Sequence, residues 1–98
     1  MNNHEIHVLV CITTQAGKAH KQIQAFERLA PLVRAEKGCL HYELTQSIED
    51  ENQFVLIEKW ATMADLQAHD ITPHMIEADA KNSEFRANPA QVFITKSV

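Results

Sequence analysis

The sequence predicts an α+β sandwich in which helical segments lie on one side of a four-stranded antiparallel sheet. Four short runs of β-branched and apolar residues alternate with segments of helical periodicity, in the order strand, helix, strand, strand, helix, strand. Only two glycines and three prolines occur among 98 residues, and 45% of the residues are hydrophobic, which excludes disordered and collagen-like chains. We therefore expect one globular domain over residues 1–98.

The first part of the chain predicts a strand followed by an amphipathic helix. Ile6–Thr13 is β-branched and apolar and is too short for a typical helix. Residues 18–37 have apolar side chains at spacings of three and four, and Gly38 is a natural helix end. Pro31 removes a helical hydrogen bond and clashes with the preceding turn, so we expect a kink or a restart near Ala30, with two helical pieces. The apolar stripe comprises Ala19, Ile23, Phe26, Ala30 and Val33.

The middle of the chain predicts a β-hairpin. Cys39–Gln46 and Gln53–Trp60 both have strand character, and residues 47–52 between them are acidic and polar, as is typical of a solvated loop. The two strands should therefore pair antiparallel.

The last part of the chain predicts helix and then a strand. Thr62 followed by Asp65 resembles a capping box and should start a short helix. Pro73 at a first helical position restarts helix towards Asn82, and residues 92–95 give the final strand. This order of elements is that of a ferredoxin-like βαββαβ sandwich.

Composition narrows the classes of partner. The formal net charge is −4 and the nine lysines and arginines are scattered, so the sequence offers no surface for nucleic acid. No apolar stretch is long enough to cross a membrane, and we expect a cytoplasmic protein. Cys11 and Cys39 lie in apolar segments and are expected to be buried, reduced thiols.

The predicted sheet has more apolar surface than its own helices can cover. In the third strand, Leu56 and Trp60 point to one face while Val55 and Ile57 point to the other. An uncovered apolar face of this size is unusual in a soluble monomer. A second copy of the chain is the simplest cover, so we expect a homodimer whose pairing encloses a small-molecule pocket.

Glu58 is the clearest anomaly, because a carboxylate shares the strand face of Phe54 and Leu56. Burial would raise its pKa and make it a candidate acid, base or substrate anchor. A salt bridge or a strand end open to water is an equal alternative. Trp60, two residues further on, either stacks on an aromatic ligand or packs in the core.

Two histidines follow that strand. His69 lies near the end of the short helix, where the helix dipole favours a histidine regardless of function. His74 lies five residues later across a proline, which is not the spacing of a zinc motif, so no metal site is predicted. Either His41 or Tyr42 shares a face with Glu58, depending on the hairpin register.

Four segments in this order resemble the antibiotic biosynthesis monooxygenase family: residues 36–42 (EKGCLHY), 54–60 (FVLIEKW), 66–69 (LQAH) and 72–75 (TPHM). The resemblance spans nearly the whole chain. It implies a dimeric, ferredoxin-like α/β-barrel. Members of the family oxidise quinols or aromatic polyketides with dioxygen and without metal or flavin, and others isomerise a phosphorylated autoinducer sugar. Relatives that degrade haem carry an asparagine on the first strand, which Ile6–Thr13 lacks.

The resemblance also implies the site residues. By position they are the catalytic candidates His69, Glu58 and Trp60. The expected pocket walls are Tyr42, Phe54, Leu56, His74 and Phe85.

The hypothesis for the chemistry is that His69, oriented by Glu58, takes a proton from a phenolic or enolic substrate, whose anion reduces dioxygen while Trp60 aligns the ring. An isomerase would use the same base without oxygen. It would also need a cation for the phosphate, and residues 53–74 offer only Lys59, opposite Glu58, which favours the oxygenase. A dimer that only binds a ligand is the third hypothesis.

Overall fold

The secondary structure follows the predicted order. The computed structural model describes residues 4–98, so the first three residues of the predicted domain lie outside the described part. The elements are β1 (Ile6–Thr13), α1 (Ala19–Arg34), β2 (Cys39–Gln46), β3 (Gln53–Trp60), α2 (Met63–Asp70), α3 (Pro73–Lys81), a 3₁₀ turn (Asn82–Glu84) and β4 (Gln91–Thr95).

The four strands form one antiparallel sheet in the order β2-β3-β1-β4. The predicted ferredoxin-like α+β fold is confirmed, including the β2–β3 hairpin. Glu58 lies opposite Val8 of β1 and Tyr42 of β2, and Ile94 of β4 lies opposite Val8. Because directly paired residues point to the same face, this row of side chains shares the face that the helices cover.

Helix α1 is one continuous element, so the expectation of two helical pieces near Ala30 is wrong. Pro31 lies in the last turn, and only Leu32, Val33 and Arg34 follow it in the helix, so its missing N–H affects one hydrogen bond near the end. The helix also ends before the predicted residue 37. The N–H of Ala35 donates to the carbonyl of Pro31 at 3.3 Å and closes the helix.

Each of the two shorter helices has a threonine N-cap, and the cap at Thr62 was predicted from the sequence. The Thr62 hydroxyl accepts from the N–H of Asp65 at 3.1 Å, and the Thr72 hydroxyl accepts from the N–H of Met75 at 3.3 Å. Each cap satisfies a backbone donor that has no partner within the helix. The sequence region predicted to restart at Pro73 is therefore a separate helix, α3.

The two faces of the sheet differ in burial. On the helix-facing side Val8, Ile12 and Phe54 are buried in the core. On the opposite side Leu9 is 40% exposed and its partner Phe93 is 50% exposed. Within residues 4–98, no helix is long and apolar enough to cross a membrane. Cys11 and Cys39 are free thiols, as expected, but they are only partly buried.

Gly38, in the turn between α1 and β2, should be sensitive to substitution. Gly38 has φ +81°, and a Cβ placed there would overlap the side-chain carboxyl group of Asp65. Gly38→Ala should therefore lower the free energy of unfolding by about 2–5 kcal/mol, through backbone strain and the clash with α2. Urea unfolding followed by circular dichroism measures this.

Gly17→Ala is the matched control, since Gly17 has φ +78° but no heavy atom within 4 Å of the added Cβ. It should cost only the backbone strain, about 1 kcal/mol. Equal losses for the two variants would contradict the assigned contact with Asp65.

Candidate active site

A cavity of about 610 Å³ lies between the helix-facing side of the sheet and the helices. Residues of a single chain line it, so a cavity is present within one protomer, and its enclosure by a second copy stays a prediction. Val92 and Ile94 of β4 line the cavity and remain 55% and 51% exposed, so the cavity opens at the β4 edge. Its apolar walls comprise Val8, Val10, Ala25, Phe26, Leu29, Leu44, Leu56, Leu66, Met75, Phe85, Val92 and Ile94.

Glu58 lies in the cavity wall and is only 6% exposed, which excludes the alternative of a strand end open to water. The indole N–H of Trp60 donates to Glu58 Oε1 at 2.9 Å. Burial raises the pKa of Glu58, and the negative charges of Asp70 and Glu36 act in the same direction. The hydrogen bond from Trp60 and the nearby His69 lower that pKa but do not cancel the effect of burial. Glu58 therefore holds its proton to a higher pH than an ordinary glutamic acid.

His69 is 1% exposed and lines the same cavity. Its Nδ1 lies 3.0 Å and 3.1 Å from the two carboxylate oxygens of Glu36. Because a carboxylate only accepts, Nδ1 carries the hydrogen, and in a neutral ring Nε2 keeps its lone pair. Nε2 lies 3.9 Å from Glu58 Oε1, which is beyond hydrogen-bond distance. The arrangement leaves the second nitrogen of His69 without a hydrogen bond in the protein, next to a buried carboxyl group.

Glu36 is the residue that the sequence reasoning missed. That reasoning assigned the orientation of His69 to Glu58, whereas the structure assigns it to Glu36, 33 residues away in sequence. Glu36 also bonds to His74, whose Nε2 lies 2.5 Å from Glu36 Oε2. Glu36 is the first residue of the segment 36–42 that resembles the family, which was the one indication of its importance in the sequence. No sequence spacing links Glu36 to His69 or His74.

Trp60 is fully buried and does not line the cavity, so its ring has no face open to a ligand there. Its ring centroid lies 4.5 Å from that of His69. This position does not fit the expectation that Trp60 aligns a substrate ring. Trp60 instead contacts Glu58 and His69. Phe54 was expected in the pocket wall, but it is 2% exposed and packs in the core without reaching the cavity.

The hairpin register places Tyr42, and not His41, beside Glu58. Tyr42 lines the cavity, stacks on Phe26 at 5.5 Å between ring centroids, and lies edge-on to His69 at 6.2 Å. Burial and the negative charge of Glu58 raise the pKa of Tyr42 far above its ordinary value. Its hydroxyl is thus a neutral hydrogen-bond donor near the two candidate catalytic groups.

Three further expected wall residues, Leu56, His74 and Phe85, do line the cavity. The cavity also contains a cation that the sequence reasoning missed. Arg86 lies in the wall because an isolated β-bridge pairs it with Thr14, directly after β1. Lys59 is the only cation among residues 53–74, but Arg86 lies outside that segment, so the cavity does have a positive charge for a phosphate.

The burial of Glu58 predicts a pH-dependent stability. Between the ordinary carboxyl pKa of about 4.5 and the raised value, the folded protein keeps a proton that the unfolded chain has lost. The free energy of unfolding should therefore fall, relative to that of Glu58→Gln, as the pH rises above about 4.5. The amide of this variant cannot ionise and retains an oxygen acceptor for the Trp60 indole N–H.

Urea unfolding of both proteins from acid to neutral pH measures this difference. Glu49→Gln, in the exposed hairpin loop, is the control and should follow the wild type. A constant difference between wild type and Glu58→Gln at all pH values would contradict the raised pKa.

Two bacterial proteins are similar to this chain over most of their length. "Putative monooxygenase YcnE" of Bacillus subtilis is 31% identical, with 87% of this chain and 90% of that protein aligned. "Probable quinol monooxygenase YgiN" of Escherichia coli K12 is 34% identical, with 69% of this chain and 75% of that protein aligned. Both names describe monooxygenases.

Solved structures agree with the fold over nearly the full length. A protein from Caulobacter crescentus, described as a "putative antibiotic biosynthesis monooxygenase", has a TM-score of 0.91 at 29% identity, covering 98% of this chain and 92% of that one. A protein from Nitrosomonas europaea with the same description has a TM-score of 0.92 at 22% identity, covering 100% of this chain and 94% of that one. The second likeness concerns the fold alone.

The family model described as "Antibiotic biosynthesis monooxygenase" matches residues 5–81. This range contains Glu36, Tyr42, Glu58, Trp60 and His69, the five residues that we call the acid–base cluster. The chain belongs to the antibiotic biosynthesis monooxygenase family.

Proposed function

We propose that this protein is a monooxygenase that oxidises a small quinol or phenolic aromatic compound with dioxygen, without a bound cofactor. The observation that carries the proposal is the Glu36–His69 pair, which leaves Nε2 as a base in the wall of an apolar cavity. Monooxygenase names among the relatives support the reaction class. The aliphatic and aromatic walls suit a flat ring better than a polyhydroxylated substrate.

In this mechanism His69 Nε2 takes the proton of the substrate hydroxyl, and Glu36 stabilises the resulting imidazolium. The substrate anion then donates electrons to dioxygen. One oxygen atom forms a new C–O bond and the other leaves as water, so that a quinol and dioxygen give a hydroxylated quinone and water. The substrate supplies all four electrons, and the balance requires no further reductant.

Glu58 and Trp60 have different roles in the proposal. A carboxyl group with a raised pKa can supply a proton to the reduced oxygen atom that leaves as water. Trp60 is a positioning residue, because its N–H holds Glu58 and its ring packs on His69. Tyr42 lines the cavity, and its neutral hydroxyl can donate a hydrogen bond to the bound ring.

An isomerase acting on a phosphorylated sugar is the second candidate. Arg86 in the cavity wall favours it, because a guanidinium suits a phosphate. The same His69 would move a proton beside a carbonyl, and no oxygen would be consumed. Oxygen consumption therefore separates the two candidates.

We also propose that the protein acts as a homodimer that pairs through the outer face of its sheet. Leu9 and Phe93 lie side by side there at 40% and 50% exposure, next to the half-buried Ile57. An exposed apolar area of this kind marks an interaction surface. A second copy covers it with the same residues.

The activity is tested with an oxygen electrode and a panel of menadiol and naphthol substrates. The wild type should consume oxygen above the rate without protein, and His69→Ala should lower kcat by about 10²–10⁴-fold because the base is lost. Glu36→Gln should also lower kcat. His41→Ala is the control, since His41 is exposed and pairs with Lys59, away from the cavity.

Equal oxygen uptake with and without protein would count against the oxygenase. Normal turnover by His69→Ala, with normal substrate binding, would remove the assigned base. Conversion of a phosphorylated sugar without oxygen uptake would favour the isomerase.

The assembly is tested by sedimentation at micromolar concentration. The wild type should sediment at about twice the chain mass of 11.1 kDa, and Phe93→Lys should sediment as a folded monomer, because a charge then lies in the apolar contact. Ile48→Lys, in the exposed hairpin loop, should remain a dimer. A folded wild-type monomer would overturn the proposed pairing.

A further inference from the structure

Arg86 is a positively charged residue in the cavity wall, separate from the acid–base cluster. Its Nε donates to Gln22 Oε1 at 3.0 Å, and Gln22 is 4% exposed. The other lysine and arginine side chains in the cavity wall are exposed. They are Lys21, Arg28 and Lys81. Arg86 is therefore the one cation of the cavity wall, among the described residues, that is not exposed, and its guanidinium is hydrogen-bonded to the buried amide of Gln22.

The guanidinium of Arg86 forms no direct ion pair in the described part of the chain, and Asp79 in the same cavity wall acts on it only from beyond 4.0 Å. None of the ion pairs within 4.0 Å among residues 4–98 includes it. Its further protein contact is with Asn82, whose amide oxygen, in the orientation that satisfies its neighbours, accepts from Nη1 at 3.3 Å. Burial lowers the pKa of Arg86, with Asp79 and Tyr42 acting in the opposite direction. A partly desolvated cation with spare donors favours an anion.

Contacts along helix α1 set an upper limit on the distance from Arg86 to His69. Gln22, which contacts Arg86, and Phe26, which stacks on Tyr42, lie one turn apart, or about 6 Å. Tyr42 and His69 lie 6.2 Å apart between ring centroids. Phe26 and Tyr42 lie 5.5 Å apart between ring centroids. The span from the Arg86 contact to His69 is therefore at most roughly 18 Å along this path, and shorter in a straight line because the path bends at Phe26 and Tyr42.

We infer that Arg86 and Gln22 form an anion subsite, so that the preferred substrate is a one- or two-ring aromatic hydroxyl compound with an acidic group at its far end. The hydroxyl lies at His69, and the carboxylate or phosphate lies at Arg86. The inference rests on the proposed function for the hydroxyl end. The anion end depends only on the geometry around Arg86.

A purely structural role for Arg86 is the competing explanation, because its bonds to Gln22 and Asn82 link α1 to the turn after α3. The two explanations differ in what they predict for ligands. A structural role affects charged and neutral ligands alike, whereas an anion subsite distinguishes them.

The test is binding measured by calorimetry under nitrogen near pH 7, so that it does not depend on oxygen chemistry. The wild type should bind 6-hydroxy-2-naphthoate about 10-fold or more tightly than 2-naphthol. Arg86→Gln should remove this preference with little change in the affinity for 2-naphthol. Arg28→Gln, an exposed cation of the same cavity, should keep the preference. A parallel pair, 2-naphthyl phosphate and 2-naphthoate, identifies which acidic group binds more tightly.

The result that overturns the inference is a wild type that binds acids and neutral parents equally, or an Arg86→Gln protein that keeps the preference. If Arg86→Gln does not fold, the wild-type ligand pairs still decide, and Arg86→Lys should weaken acid binding by several-fold because it loses the planar donor pair. A preference for acids without oxygen uptake would leave the subsite intact and remove only the oxygenase.

Discussion

The site depends on one carboxyl group in a position where the strand pattern would otherwise place a hydrocarbon. Glu58 lies in the helix-facing row of β3, between Leu56 and Trp60. A carboxyl group there is tolerated because the Trp60 indole N–H satisfies one oxygen and because the group can hold its proton. The packing of Trp60 against His69 then links this row to α2. The strand, the indole and the helix thus form one unit.

Much of the fold follows from the sequence because its signals are local. The alternation in β1 and β3, the threonine caps of α2 and α3, and the order of elements each depend on a few neighbouring residues. Glu58 and His69 were also candidates from the sequence, one as a polar residue in an apolar row and the other through the family segments, and the structure places both in the cavity wall. The exception was Pro31, whose effect depends on how close it lies to the helix end.

The contacts that complete the site could not be read from the sequence, because they join residues far apart in the chain. Glu36 follows a helix in a turn that looks solvated, and only the packing of α2 against that turn brings it to His69. Arg86 reaches the cavity because the chain returns beside Thr14. Tyr42, rather than His41, faces Glu58 because of a register that includes an irregularity between Cys39 and His41. Each depends on long-range geometry, for which periodicity carries no signal.

The contact between Gly38 and Asp65 helps to fix the position of His69 relative to Glu36. Gly38 lies two residues after Glu36, and Asp65 lies one helical turn before His69. Because Gly38 has no side chain, the backbone after α1 contacts the first turn of α2. Glu36 and the His69 imidazole therefore lie on two segments that are already in contact. The exposed β4 edge of the cavity is the opposite edge of the sheet from β2, which follows the turn at Gly38, and it takes no part in the contact. The fold thus places the Glu36–His69 pair and the opening of the cavity towards different edges of the sheet.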